Sequence, residues 1–270
     1  MKMNQLLALT SLVAAASVGL AVACSDASAP NSRAGTFYGP SAAFAQGSAR
    51  AWVTTDATGA PTALGIAMTE TSLQGLPTAA PGPNPTALMV TLALPAEAQG
   101  IGFDHAELGW NPNGHEPFQI YGAPHFDLHF YMVSPAAQAA ILPSDPAFAA
   151  KAANFPATSF VPNGYYPPPG AAASNAVPQM GLHWTDVTSA EFNGQPFTNT
   201  FIYGSWDGRF IFLEPMVTKA YLQTQPNVEH AIPQPAMWPT AGRFPTTYSV
   251  RYDATAKEYR FTLGGLTQHP

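Results

Sequence analysis

Proline recurs too often in this chain for any long helix to survive. There are 28 prolines among 270 residues, spread along the length with 22 glycines, where an average chain has about 5% proline. Each one removes a backbone donor, and its ring clashes with the preceding helical turn. Helical bundles, coiled coils and helical solenoids are therefore excluded. Disorder is excluded as well, because 46% hydrophobic and 11% aromatic residues can bury a core. The 10 Lys and Arg stand against 16 Asp and Glu, a net charge of −6, which rules out the basic face that a nucleic-acid partner needs. What is left is a mainly β chain: a single-domain antiparallel β-sandwich or barrel with a few short helices and long Pro-rich loops.

The chain opens with a segment that reads as a signal peptide, residues 1–23. Lys2 supplies the charged start and residues 6–23 the apolar stretch. Leu20-Ala21-Val22-Ala23-Cys24 resembles a bacterial lipoprotein signal, with Ala21 where Leu or Val is usual. An ordinary secretory cleavage at Ala23 or near Ala27, or a retained anchor, is the alternative. Cys24 is the only cysteine, so the mature chain has no internal disulfide and no thiol nucleophile. Residues 24–34 then read as a lipidated Cys and flexible tether, and 35–270 as a single β-rich domain. This predicts a protein of the bacterial cell envelope, exported and lipid-anchored at the outer membrane or periplasmic face, with the membrane as one partner and copies of itself as another.

Period-two patterning places the elements. Residues 49–55 and 62–68 form a hairpin, 70–76 one helical turn, 87–94 a buried strand and 101–110 another strand. Residues 111–124 are a loop, and 125–133 return to strict alternation. Short helices follow at 135–142 and 145–153, the second with Asp145 as N-cap and Pro146 at its first position. Residues 155–179 read as an extended surface loop, a lid or an oligomer arm. Asp207-Gly208 is a strong hairpin signal. With those two residues as the loop, Trp206 falls opposite Arg209, Tyr203 opposite Phe212 and Phe201 opposite Glu214. Residues 216–223 read as a short helix, and 246–252 with 258–263 as a last hairpin. No internal repeat, G-x-G-x-x-G or P-loop is present.

The chemistry gathers where histidine is dense. In Pro124-His125-Phe126-Asp127-Leu128-His129-Phe130-Tyr131-Met132, a strand puts His125, Asp127, His129 and Tyr131 on one face and the apolar residues on the other. His125 and His129 are then about 13 Å apart along the strand, too far to share a metal held at about 2.1 Å. Asp127 can act with either neighbour, and a third ligand has to come from elsewhere. His105, His115, His183 and Glu214 are the candidates, and Glu107 or Asp127 the acceptors behind a ligating imidazole. The site residues so predicted are His105, His115, His125, Asp127, His129, His183 and Glu214. Two or three imidazoles with a carboxylate suit a divalent transition metal, zinc first.

The rival reading is a metal-free network in which His and Asp satisfy one another, within an oligomeric structural or ligand-binding envelope protein. Glu214 would then be an ion-pair partner for an arginine. A glycosidase using Asp127 with Glu214 or Glu107, and stacking sugars on Tyr165, Tyr166 and Trp238, is a further alternative. There is no G-x-S-x-G elbow, and no reaction follows from the residues.

Five stretches resemble the domain-of-unknown-function 5602 family: Phe103-Asp104-His105, Trp110 through Pro117, Pro124 through Tyr131, Met180-Gly181-Leu182-His183-Trp184 and Ile211 through Met216. The likeness runs over about residues 36–222. It implies secreted, β-rich, oligomer-forming proteins with no agreed activity, and it favours the same His-bearing residues as the site. Asn113 departs from the more polar or His-containing loop expected before Gly114-His115.

Overall fold

Strands form wherever apolar residues alternate or run between turn residues, and the turns decide which strands meet. The structure is a computed structural model that describes residues 33–81 and 85–270. The predicted signal peptide, Cys24 and most of the tether lie outside the described residues. β1 (Gly35–Tyr38), β2 (Ala42–Phe44), β3 (Gly47–Thr55) and β4 (Pro61–Thr69) begin a first sheet. The chain then leaves it and builds an entire second sheet in one stretch. That stretch holds β5 (Leu88–Ala93), β6 (His105–Asn111), β7 (His125–Tyr131), β8 (Tyr165–Tyr166), β9 (Leu182–Asp186), β10 (Asn199–Trp206) and β11 (Arg209–Thr218). β12 (Asn227–Ala231), β13 (Gly242–Phe244), β14 (Thr247–Asp253), β15 (Glu258–Gly264) and β16 (Thr267–His269) follow.

The first sheet has the order β1-β3-β4-β15-β14-β12, with β2 also on β3; the second is β5-β6-β7-β11-β10-β9-β8; β13 pairs with β16. The pairings are antiparallel, and the two large sheets are open and sandwich-like rather than a closed barrel. One apolar cluster joins them: Phe44, Leu64, Ile66 and Phe261 from the first sheet meet Leu108, Phe126, Leu128 and Leu213 from the second. The rings of Phe44 and Phe126 lie 6.3 Å apart, and those of Phe201 and Tyr248 5.2 Å. Each such side chain contributes about 1.5–3 kcal/mol by leaving water.

The second sheet is covered on its other face too. Every residue of β6 and β7 is buried, so alternation sorts their side chains between two interiors rather than between core and solvent. Short helices α1 (Phe118–Tyr121), α2 (Pro135–Ala139), α3 (Phe148–Ala153) and α4 (Ala172–Asn175) belong to this cover. Tyr131 and Phe212 pack with Ile141 and Phe148, and Ile202 and Met216 with Tyr121 and Phe197. Polar groups on this face are thereby withdrawn from water and must find partners. No helix among the described residues is long and apolar enough to cross a membrane.

Several expectations need correction. Residues 87–94 are not a buried strand: β5 pairs only with β6, and Met89, Thr91 and Ala93 are exposed. Asp145 is not the N-cap of α3, which is Ala147; its carboxylate instead accepts from the Ala147 N–H and pairs with Lys151 at 2.7 Å. The stretch 155–179 carries β8 and α4, because Tyr165 turns inward and donates to the Phe201 carbonyl at 2.8 Å. The helix expected over 216–223 shrinks to Lys219–Leu222, since β11 runs on to Thr218, whose hydroxyl caps it.

The Asp207-Gly208 hairpin forms with Trp206 opposite Arg209, but a bulge at Gly204/Ser205 shifts the rest by one residue. Tyr203 therefore faces Leu213, and Glu214 faces Ile202. Gly204 opposes Phe212, and a Cβ on it would stand 2.0 Å from that ring, so glycine is required where the strand bends.

Candidate metal centre

Register brings the chemistry together on the covered face. Beside β7, the β6 residues His105, Glu107, Gly109 and Asn111 oppose Tyr131, His129, Asp127 and His125. On its other side, Leu213 opposes Phe130 and Met216 opposes Asp127, and the same register sets Glu214 against His129. Pro215 has no N–H and interrupts the ladder there. Two strands beyond β11, His183 of β9 opposes Gly204 of β10, and the space a side chain on Gly204 would fill is taken by the Phe212 ring. Glu107, His129 and Glu214 thus form a row across three strands.

The seven predicted residues do not converge on one point. His129, His183 and Glu214 form one group, with ligand atoms all within 4.8 Å of one another, and His115, His125 and Asp127 form a second of the same kind. His105 stands apart. Its Nδ1 faces Asp104 Oδ1 at 3.1 Å, and its Nε2 faces Gln138 Oε1 at 2.9 Å. Gln138 in turn donates to Glu107 Oε2 at 3.1 Å, and Thr91 donates to Glu107 Oε1 at 3.2 Å. This network satisfies itself.

In the first group, Glu214 Oε2 lies 3.4 Å from His129 Nε2 and 3.6 Å from His183 Nε2. Both ring nitrogens of His129 and both oxygens of Glu214 are buried with no hydrogen-bond partner among the described residues. Phe212 closes the space, its ring 4.8 Å from His129 and 5.2 Å from His183. Burial pushes the His129 imidazole below its ordinary value; burial and then His129 push His183 down to about 3. Burial, reinforced by the charge of Asp127, raises the Glu214 carboxyl well above the usual range. Without a cation, burial thus favours the neutral form of all three. No arginine approaches Glu214 in a described ion pair; its partners are the two histidines.

The second group is polarised instead. His125 Nε2 lies 3.1 Å from Asp127 Oδ1 and His115 Nε2 3.7 Å from Oδ2. Burial alone would raise Asp127, but His125 and His115 pull its carboxyl well below the usual range. Burial alone would lower His115, but Asp127 outweighs it and raises the imidazole.

Two contributors escaped the sequence reading, Gln138 and Asn111. Asn111 is wholly buried and donates from Nδ2 to Asp127 Oδ2 at 2.5 Å. The signal was the period-two series His105, Glu107, Gly109, Asn111, which continues one residue past the expected strand end. The sugar-stacking platform does not exist: Tyr165 and Trp238 are 3% and 6% exposed, and Trp238 is stacked on Phe244 at 4.0 Å. Of the three aromatics only Tyr166 is exposed.

Fold and site together define a β-sandwich with two groups of two histidines and one carboxylate under the cover of one sheet. Residues 56–110 are similar to a family described as TTHB210-like, hypothetical protein TTHB210. That match takes in His105 and Glu107 but ends before His115, β7, His183 and Glu214. No curated protein and no solved structure matches the chain.

Proposed function

We propose that the protein binds a divalent transition metal through His129, His183 and Glu214. The observation that carries this reading is the set of four buried polar atoms without partners on His129 and Glu214. Such atoms cost about 1–3 kcal/mol each when left unpaired, and native interiors seldom leave them so unless an ion or water belongs there. The separations support an ion over a direct contact. A neutral carboxyl donating to an imidazole would sit near 2.8 Å, whereas ligands about 2.1 Å from a tetrahedral zinc are about 3.4 Å apart. The separations of 3.4 and 3.6 Å in the structure fit the second case.

Two imidazoles and a carboxylate match the borderline character of zinc, and the same donors also serve iron, cobalt or nickel. Three protein ligands leave a coordination position open, where a bound metal would supply Lewis acidity. The chain's own residues bury the centre, hold both imidazoles neutral and wall it with Phe212. The leader, Cys24 and the tether support placing this centre on a lipid-anchored protein of the bacterial cell envelope. The motifs that resemble the domain-of-unknown-function 5602 family contain all three ligands.

Elemental analysis of full-length protein purified without a histidine tag tests the reading. A transition metal is expected, and Glu214→Gln should lose one equivalent per chain. Undiminished metal in Glu214→Gln, or none in the wild type, overturns it.

A further inference from the structure

The group around Asp127 is built in a way that a metal-free ion pair does not require. His125 gives its Nδ1–H to the Ala123 carbonyl at 2.7 Å, and His115 gives its own to the Glu116 carbonyl at 2.9 Å. Each ring is thereby locked with Nε2 turned inward, the way ligating histidines are held from behind. Asp127 Oδ1 is buried and faces His125 Nε2 at 3.1 Å with no aligned hydrogen bond between them. Beside it stands the amide of Asn111, with Nδ2 2.5 Å from Asp127 Oδ2 and 3.3 Å from His125 Nε2.

We propose that His115, His125, Asp127 and Asn111 form a second divalent-cation site, closed by four protein ligands, with Asn111 supplying Oδ1 after its amide turns over. The turn exchanges the amide oxygen and nitrogen at both ends. Thr86 Oγ1 now donates to Asn111 Oδ1 at 2.9 Å, and a hydroxyl can equally accept from the Nδ2 that replaces it. With a cation present, the oxygen is drawn toward the charge it would otherwise avoid beside Asp127. Two imidazole nitrogens, a carboxylate and an amide oxygen suit zinc, manganese, ferrous iron or cobalt, and exclude a preference for cuprous copper, which takes sulfur.

This site is separate from the centre at Glu214. Asp127 and His129 are two residues apart on one strand, about 7 Å, whereas metals that share a bridging ligand lie about 3.5–4 Å apart. Its character also differs, since closed four-ligand sites are structural. What it would fasten is the loop between β6 and β7: His115 comes from that loop, Asn111 from the end of β6, and His125 and Asp127 from the start of β7.

Zinc titration of chelator-stripped, tag-free, full-length protein tests the proposal, with stoichiometry as the readout and the thermal midpoint of the zinc-free form as the folding control. Wild type should take two equivalents, and Glu214→Gln and Asp127→Asn one each. Asn111→Leu should weaken the equivalent that Glu214→Gln retains by tenfold or more. His115→Ala, at a side chain 22% exposed, should do the same with less risk to folding. Cobalt substitution adds a spectrum, in which a four-coordinate band survives Glu214→Gln and disappears in Asp127→Asn. If Asn111→Leu and His115→Ala bind like wild type, the site is overturned. If wild type takes one equivalent that Glu214→Gln abolishes, this site falls and the centre at Glu214 stands. If that single equivalent vanishes in Asp127→Asn but not in Glu214→Gln, the reverse holds. No binding at all overturns both.

Discussion

His129 Nε2 and Glu214 Oε2 face each other 3.4 Å apart across β7 and β11, and neither atom has a hydrogen-bond partner among the described residues. The pairing is set by the register of β11 on β7, which puts Leu213 opposite Phe130 and Met216 opposite Asp127, and Pro215 leaves the ladder open beside the carboxylate. A group that costly to bury is retained where something is bound, so its removal separates binding from folding.

Glu214→Gln should leave the metal-free fold nearly untouched. Burial already pushes the carboxyl well above its usual range, toward the neutral form, and the amide has almost the same volume, so the urea stability of chelator-treated protein should change by about 1 kcal/mol or less. Zinc affinity should fall by about a hundredfold or more, since an amide is a poorer ligand and brings no charge. Calorimetric titration beside urea unfolding measures both. A large loss of metal-free stability would show that the carboxylate serves the fold.

Acid should destabilise the metal-free protein with a slope that can be worked out. His129 and His183 are lowered from 6.5. As pH falls below about 6.5 the unfolded chain gains two protons that the native state refuses, and stability drops. Glu214 acts oppositely: it is raised from 4.5, so the native state keeps a proton that the unfolded chain releases above that pH. His115, raised from 6.5, stabilises below 6.5 and loses that contribution as pH rises through its native value. Below pH 6.5 Glu214 offsets part of the loss that the two histidines cause. Asp127, held well below 3.8, steepens the loss at lower pH. His183→Asn should flatten the slope between pH 4.5 and 6.5. Urea midpoints at pH 4.5, 5.5 and 6.5 decide it.

The strands of β7 and of the Asp207-Gly208 hairpin were legible because period two and an Asp-Gly turn are local signals. The bulge was not, since it is set by how Gly204 accommodates the Phe212 ring. Nor was the burial of the polar face. Whether His125 and His129 meet water depends on Tyr121 and, much further along the chain, on Phe148 and Phe197, which fold over that face. The split into two groups follows from the strand spacing of β7 alone, as expected for His125 and His129. Which third ligand joins which pair depended on registers across four strands.

Gln138→Ala should destabilise without touching metal content. The amide bridges His105 Nε2 and Glu107 Oε2, and truncation leaves two buried polar atoms without that partner, a loss of about 1–3 kcal/mol. His105 lies in neither ligand group, so zinc stoichiometry should match wild type. A parallel fall in bound zinc would tie the His105 network to the centre.

Gly204→Ala tests how the sheet makes room for the site. The added Cβ would stand 2.0 Å from the Phe212 ring, and that ring already rests on His129, His183 and Tyr131. It has nowhere to retreat except into the ligands, so stability should fall by about 1–3 kcal/mol and zinc affinity should fall with it. Shortening the ring should relieve both. Gly204→Ala with Phe212→Leu is expected to be less destabilised than the two single changes added together, with a coupling of about 1 kcal/mol. A double-mutant cycle in urea, run with and without zinc, reads the coupling directly. Strict additivity would mean that Gly204 is needed for the backbone bend of β10 and not for the space that Phe212 and the histidines share.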